Sequence, residues 1–273
     1  DGISYKGYHV DRVQGNVVYD NGLVRIDDAQ LSIGAGNTKV KGQYVVDTGD
    51  FDAVANVHNL SLDTFTQDLT MPITGTVDGE IHVLGKNNQV TDLVGAVQGH
   101  QIGVRGVVLD SVKADLTHSD NLTNITMVGN METGSFSGYG SIQNGQVDAT
   151  ISGNALPLTS LSSIIGDDVA GTVSTSINVK GSLDNPNVTG TVWGQEVLYK
   201  GAHFNDIHSD ITLDNHVLTI TNGHIGDGSG GYDITGWYNI NTDALDLNAK
   251  ARAVRIENLI RPVTDIPITG WFE

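Results

Sequence analysis

The sequence contains no cysteine and only 5 prolines among 273 residues. Without cysteine there are no disulfides, no thiolate metal sites and no cysteine nucleophile, although the absence leaves the cellular compartment open. The few prolines, set against 34 glycines, exclude a proline-rich linker. With 38% hydrophobic and 17% charged residues, the chain is too apolar to be disordered. It is therefore expected to fold.

Positive charge is also scarce, because 14 basic residues stand against 32 acidic ones and give a formal net charge of −18. A phosphate backbone would be repelled by such a chain, so nucleic acid is not an expected partner. No run approaches the ~18 apolar residues of a membrane span, and no basic segment precedes an apolar stretch at Asp1. Any inner-membrane anchor is expected to lie outside this stretch of sequence.

The sequence repeats itself with a period of about 96 residues. One set of aligned segments is FDAVANVHNLSL from Phe51, VDATISGNALPL from Val147 and LDLNAKARAVRI from Leu245. A glycine that opens an alternating run recurs at Gly75, Gly171 and Gly270. A short segment with a basic residue followed by glycine also recurs, at Tyr5-Lys6-Gly7, Val104-Arg105-Gly106 and Tyr199-Lys200-Gly201. These anchors predict a first, partial repeat at 1–100, a second at 101–195 and a third, truncated repeat at 196–273.

Alternation of apolar and polar residues predicts strands through most of each repeat. In the two runs that open at Gly75 and Gly171, apolar residues occupy one face and polar residues the other, which is typical of a half-buried strand. The apolar positions are Val77, Ile81 and Val83 in the first run and Val173, Ile177 and Val179 in the second. Further strands are predicted near 14–20, 38–46, 51–60, 92–98, 122–128, 146–152, 187–193, 216–221, 232–240 and 244–254.

Only one short stretch in each repeat has helical spacing, at 62–69, 158–165 and 256–263. Such stretches are too short for parallel crossovers, so an antiparallel meander is expected. Three copies of one unit favour an elongated open sheet over a closed barrel or sandwich. Aligned glycines at Gly42, Gly138 and Gly236, and at Gly95 and Gly190, are places where the strands kink and curl the sheet, or else ordinary turn glycines.

Catalytic and metal-binding patterns are not found in the sequence. The nine histidines form no HExxH motif, and His58 and His82 fall on the polar phase of their strands. The stretch GDGSGGYD from Gly226 resembles a calcium or phosphate loop but lacks the tandem repeat or the Lys-Ser/Thr that those sites need. Neighbouring acids such as Asp27 and Asp28 are expected on opposite faces of a strand. We expect neither an enzyme nor a cofactor or metal.

The glycine-punctuated strands, the phrase DNHVLTITNGHIGDGSGGYDITGWYNI and the succession of strand, short helix and ITG strand resemble the periplasmic repeats of TamB and the broader AsmA-like proteins. The resemblance covers essentially the whole chain. It implies a β-taco: an all-β repeat sheet curled into a U-shaped groove with an apolar interior and one short helix per repeat. It also implies location in the periplasm of a diderm bacterium, an inner-membrane anchor and, for TamB, an outer-membrane barrel partner.

The function implied is lipid transport in outer-membrane biogenesis, with phospholipid acyl chains held in the apolar groove. An apolar lining suits this role because each buried methylene gains about 0.8 kcal/mol. The hypothetical lining is Val77, Ile81, Val83, Val173, Ile177 and Val179, and the two sets are expected to form one stripe. From alternation alone, the same side chains equally fit the filled core of a structural scaffold, and an outer-membrane protein assembly factor without a lipid ligand is a further alternative.

Overall fold

A computed structural model describes residues 3–5, 8–66, 72–228, 230–260 and 269–272. The strands are β1 Ile3–Tyr5, β2 Tyr8–Val10, β3 Arg12–Asp20, β4 Leu23–Ile33, β5 Gly36–Val45, β6 Asp50–Ser61, β7 Ile73–Lys86, β8 Gln89–Val104, β9 Val107–Ser119, β10 Leu122–Met131, β11 Gly134–Gln143, β12 Gln146–Pro157, β13 Val169–Ser182, β14 Pro186–Tyr199, β15 Ala202–Asp214, β16 Val217–Gly226, β17 Gly231–Asn239, β18 Leu245–Arg252, β19 Val254–Arg255 and β20 Trp271–Phe272. The helices are α1 Asp63–Thr66, α2 Ser162–Ile165 and α3 Ile256–Ile260, and a 3₁₀ turn at Leu158–Leu161 precedes α2.

Sixteen strands, β3 to β18, form one antiparallel sheet whose spatial order follows the chain order. The two end strands of that order do not pair with each other, so the sheet is not closed. Two small sheets accompany it: β1 with β2, and β19 with β20. The predictions of an all-β chain and an antiparallel meander are therefore confirmed.

Internal contacts divide the chain into two compact units. Unit 1 comprises residues 1–129 and 141–144, and unit 2 comprises residues 130–140 and 145–273. These units are defined by spatial contacts, whereas the three repeats are defined by sequence similarity. The repeat boundaries therefore stay a prediction.

Tight turns fix the strand order. In the part of the chain that the structure describes, seven hairpins have two loop residues that both adopt positive φ, which marks the type I′ turn that matches strand twist. They are Asn21-Gly22, Asn87-Asn88, Arg105-Gly106, Asp120-Asn121, Asn144-Gly145, Lys200-Gly201 and Asn215-His216. The recurring segment with a basic residue followed by glycine is therefore a hairpin turn at Arg105-Gly106 and at Lys200-Gly201.

β-Bulges recur at equivalent places in the first two repeats. The register shifts between Val57 and Leu60 in β6 and between Gly153 and Leu156 in β12. Within each bulge one residue, Asn59 or Ala155, has positive φ, and its amide points away from the regular ladder. A side chain of the next strand accepts that N–H: Asp78 Oδ1 at 3.1 Å from Asn59 N, and Ser174 Oγ at 3.0 Å from Ala155 N.

Another bulge corrects the expectation for the acid pair. The register shifts between Ile26 and Ala29, and both of these residues pair with residues of the same face on β3. Asp27 and Asp28, which lie between them, are therefore both displaced to the opposite face, because the bulge adds one residue to the usual alternation. Asp27 Oδ1 accepts an ion-paired hydrogen bond from Arg25 Nε at 2.8 Å.

Six of the described strands were not among the predicted segments: β1, β2, β4, β9, β11 and β15. A bulge interrupts the alternation in β4, where the register shifts between Ile26 and Ala29. In β11 the sequence GSFSGYGSIQ has few apolar residues to show a period. The helices α1, α2 and α3 lie within the three stretches with helical spacing, and residues 67–69 and 261–263 of those stretches lie outside the described residues.

Some glycines on the sheet lie where the neighbouring strand leaves no room for a side chain. A Cβ built on Gly42 would lie 2.6 Å from the carbonyl oxygen of Asp52 and 3.0 Å from the Cα of Ala53. At Gly190 the same construction meets the carbonyl oxygen of Ser176 at 2.6 Å. Gly95 differs, because its Cβ would meet Ile81 Cγ1 at an ordinary 3.6 Å. A close approach of the neighbouring strand is therefore found at Gly42 and Gly190 but not at Gly95, and the curling of the sheet at the aligned glycines stays a prediction.

We predict that Gly42→Ala destabilises the chain by about 1–3 kcal/mol, because the methyl group forces β5 and β6 apart. The matched control is Gly95→Ala, which should be neutral or stabilising by about 0.4–1 kcal/mol because it restricts the unfolded chain. Urea unfolding of both variants measures the difference. Equal effects at the two glycines would contradict the close approach at Gly42.

Candidate functional site

Unit 1 has one apolar face, which is built from rows of directly opposed residues. Side chains of directly opposed residues in an antiparallel sheet lie on the same face. Three rows run across the strands and contain mostly aliphatic residues or glycine. They are Gly15, Ala29, Val40, Ala55, Ile81, Gly95 and Leu116; Val17, Ile26, Gly42, Ala53, Val83, Leu93 and His118; and Leu60, Val77, Gly99 and Val112.

Unit 2 has an apolar face of the same construction. Its rows cross β12 to β18 and again contain mostly aliphatic residues or glycine. They are Leu156, Val173, Gly194, Ile207, Ile225, Tyr232 and Ala251; Ile151, Ile177, Gly190, Ile211, Ile220, Gly236 and Leu247; and Ala149, Val179, Val188, Leu213, Leu218, Tyr238 and Leu245.

The opposite face of each unit is polar. In unit 1 one row contains Gln14, Gln30, Lys39, Asn56, Glu80, Ala96 and Asp115, and in unit 2 one contains Thr150, Asn178, Thr189, Thr212, Thr219, Trp237 and Asp246. Each unit therefore has an amphipathic sheet with one apolar and one polar face.

The apolar faces are only partly covered by protein. Of the hydrophobic residues in these rows, those that are buried are Ala29 and Tyr232. Ile151 is 41% exposed and Leu247 is 54% exposed, although both project from the apolar face. A filled core would bury such residues almost completely. Within each unit, the apolar face is thus a half-exposed surface along most of its length.

The six residues predicted to line a groove lie on these faces. Val77, Ile81 and Val83 project from the apolar face of unit 1, and all three are half-buried. Val173, Ile177 and Val179 project from the apolar face of unit 2 and are also half-buried. That the two sets join into one stripe stays a prediction.

Most of the apolar rows were not identified from the sequence. Their members come from strands separated by tens of residues, as Val40, Ala55 and Ile81 are. Alternation shows which residues of one strand share a face, but register decides which residues of the next strand join them. The type I′ turns were the available signal, because a two-residue hairpin fixes the register of its strands.

A small cavity of about 140 Å³ opens on the apolar face of unit 1. Gly42 is one of its lining residues. Tyr44 lies at its rim and donates a hydrogen bond from its hydroxyl to Asn88 Oδ1 at 2.9 Å. The remaining lining is mainly Val24, Ile26, Val40, Phe51 and Ala53. The cavity accepts apolar groups rather than ions.

Cross-strand pairs of histidine and carboxylate occupy the polar faces. His82 Nε2 lies 2.7 Å from Asp52 Oδ1, and His203 Nε2 lies 2.9 Å from Glu196 Oε2. The expected polar phase of His58 and His82 is therefore observed, but both histidines have carboxylate neighbours that their spacing in the sequence did not reveal. Among the described residues, no three His, Asp or Glu side chains are arranged to hold a metal ion.

Asp78 carries the strongest of these arrangements. Its carboxylate accepts the amide of Asn59 and lies 2.5 Å from His58 Nδ1 and 3.8 Å from His100 Nε2. The Asn59 amide is the main cause that lowers the pKa of Asp78. Burial opposes this effect, and His58 and His100 lower the pKa further. The charged carboxylate therefore stabilises the bulge between β6 and β7.

In the glycine-rich stretch from Gly226, the buried carboxylate of Asp227 accepts two backbone amides. Asp227 Oδ1 accepts the amide of Gly230 at 2.9 Å, and its Oδ2 accepts the amide of Arg255 at 2.8 Å. The carboxylate thus bonds to the backbone of its own loop and of β19.

Of the helices in the described part of the chain, none has the length and hydropathy needed to span a bilayer.

Comparison with known proteins gave no relative. No family model matches the sequence, and no curated protein or solved structure matches the chain.

We predict that Asp78→Asn destabilises the protein at neutral pH and that the difference from the unsubstituted chain vanishes in acid. Because the folded-state pKa is lowered, the stabilisation is present above the unfolded value of 3.8 and is lost as the pH falls through the folded value. Denaturant unfolding at neutral and acidic pH measures this difference. The control is Asp115→Asn on the same face, for which we expect little change. A destabilisation of Asp78→Asn that persists unchanged at the lowest pH would contradict the account.

Proposed function

We propose that the chain is a periplasmic segment of an inter-membrane bridge protein of the TamB and AsmA-like kind. Its apolar faces conduct phospholipid acyl chains toward the outer membrane. The segment is not an enzyme, and it is anchored to the inner membrane by a part of the protein outside this sequence. In this proposal the sheet is curled into a U-shaped groove, with one short helix per repeat at its margin and with an outer-membrane barrel protein as a partner.

The observation that carries the proposal is the half-exposed apolar face of each unit. A row of seven opposed residues spans about 29 Å at the usual strand spacing of about 4.8 Å. One leaflet of a bilayer has a hydrocarbon thickness of about 15 Å. A row within either unit is therefore longer than an acyl chain, which could lie entirely against aliphatic side chains.

The balance of free energy favours an apolar occupant over water. Each acyl-chain methylene that leaves water for the apolar face contributes about 0.8 kcal/mol of favourable free energy. Covering the half-exposed valines and isoleucines with the acyl chain is favourable for the same reason. The net charge of −18 opposes binding to an anionic membrane surface. Recognition in this proposal therefore depends on acyl chains and not on headgroup charge.

Close approach at glycines supports the curled geometry. At Gly42 and Gly190, both in rows of the apolar faces, the neighbouring backbone comes nearer than a side chain would permit. Bulges such as those at Asn59 and Ala155 add local bending to the same strands. We infer that these glycines and bulges curl the strands around the apolar side of each unit.

We predict that Ile81→Asp and Ile177→Asp block lipid contact with little loss of stability. In an open groove the new carboxylate reaches water, whereas in a filled core it would be buried without a partner and cost several kcal/mol. Photo-crosslinking to lipid from positions on the apolar face, together with thermal melts, measures both effects.

The matched control is Asn178→Asp, which adds the same charge next to Ile177 but on the polar face. Its carboxylate can still accept the hydrogen bond that Thr150 Oγ1 now donates to Asn178 Oδ1 at 2.9 Å. We expect normal crosslinking and melting in this variant. Severe unfolding of Ile81→Asp and Ile177→Asp would instead indicate a scaffold with a filled core, and unchanged crosslinking would refute the assigned lining.

A further inference from the structure

The polar face of unit 2 carries a cavity of about 680 Å³, on the side of the sheet away from the proposed lipid path. It spans β15 to β18. A bulge in β16 lies beside it, because the register shifts opposite His208 and Asp210 on one side of this strand and between Ile220 and Gly223 on the other. Since a bulge bends and twists a strand locally, it dents a sheet that would otherwise be smooth.

The lining of this cavity is rich in polar side chains that together supply both donors and acceptors of hydrogen bonds. The groups are imidazoles, amides, a carboxylate and a hydroxyl, and they come from His208, Asn222, His224, Asp233, Thr235 and Asn248. Lys250 and Arg252 add cationic donors from β18. A concave site with several converging polar groups is the usual form of a small-molecule site.

Contacts within the protein hold part of this lining in place. His224 stacks on His208 with ring centroids 5.3 Å apart, and its Nδ1 lies 3.1 Å from Asp233 Oδ1. Asn222 donates from Nδ2 to Asp210 Oδ2 at 2.7 Å. Positions fixed in this way before binding reduce the entropy lost when a ligand is held.

Two exposed tryptophans flank the cavity on the same polar face. Trp193 is directly opposed to the lining residue His208 and is 47% exposed. Trp237 follows the lining residue Thr235 by two positions, so it projects from the same face, and it is 39% exposed. The strands that carry them, β14 and β17, are three spacings or about 14 Å apart. Exposed indole rings on the water-facing side of an amphipathic sheet have no role in an apolar groove.

Charge decides between classes of polar ligand. Lys250 and Arg252 are offset by Asp233 in the lining and by Asp206, whose Oδ2 lies 4.0 Å from His224 Nε2. The overall charge of −18 repels anions from a distance. An uncharged ligand with many hydroxyl groups uses both the donors and the acceptors of the cavity without this cost.

We propose that this cavity and its two tryptophans bind an uncharged oligosaccharide. Each sugar ring has a face of C–H groups that packs on an indole ring, and its rim of hydroxyls needs the mixed donors and acceptors that the cavity supplies. Trp193 and Trp237 lie three strands apart, a span that a chain of several rings bridges and a monosaccharide does not. The site is independent of lipid binding because it lies on the opposite face of the sheet.

Tryptophan fluorescence of the full chain tests the proposal directly, since the sequence contains three tryptophans. The probes are cellotetraose, maltotetraose and tetra-N-acetylchitotetraose, with tetragalacturonate as the charged counterpart. We expect a saturable emission change with at least one neutral tetrasaccharide and weaker binding of the galacturonate. Trp193→Ala and Trp237→Ala should each weaken binding by about tenfold or more.

Trp271→Ala is the matched control, because Trp271 is 57% exposed but lies on β20, outside the cavity. It should leave affinity unchanged, and melting temperatures should confirm that all three variants fold. The proposal is overturned if none of the neutral probes alters the emission, if the galacturonate binds more tightly, or if the three tryptophan variants lose affinity equally.

Discussion

The whole sheet depends on keeping apolar residues of successive strands on one face. Alternation alone would fail at every bulge, because one added residue moves all later side chains of a strand to the other face. The sequence compensates by spacing its apolar residues three apart at the bulges, as in Val57 to Leu60 and Gly153 to Leu156. The intervening residues are polar or small, and one of them, Asn59 or Ala155, takes up the positive φ.

This constraint explains why a side chain of the next strand accepts a hydrogen bond from the amide of each of these bulges. An inserted residue leaves an amide outside the ladder, and a buried or half-buried amide without a partner is costly. Asp78 and Ser174 supply that partner from equivalent positions in two repeats, using a carboxylate in one and a hydroxyl in the other. Conservation of the geometry with a change of chemical group indicates that the bulge itself is what each repeat requires. The curl that we infer for the groove depends on these bulges and on the close approach at Gly42 and Gly190.

The sequence was most informative where a strand has no irregularity between its apolar residues. Val173, Ile177 and Val179 lie on an uninterrupted part of β13, so their common face could be predicted. In β4 the bulge at Ile26 breaks the period, and Asp27 and Asp28 were placed on opposite faces for the same reason. The cavity on the polar face was not predictable, because its side chains meet only through the registers of four strands. Its tryptophans are unremarkable in a linear pattern, where each is one more aromatic residue of a strand.

The central claim is that the apolar faces hold lipid and not merely a packed protein core. Quantitative mass spectrometry of lipids extracted from the gently purified chain tests it most directly. The account predicts that phospholipid co-purifies in stoichiometric amounts and that its removal increases chemical labelling of residues on the apolar rows. A folded chain that carries no phospholipid, and whose apolar rows are protected from labelling without it, would contradict the account.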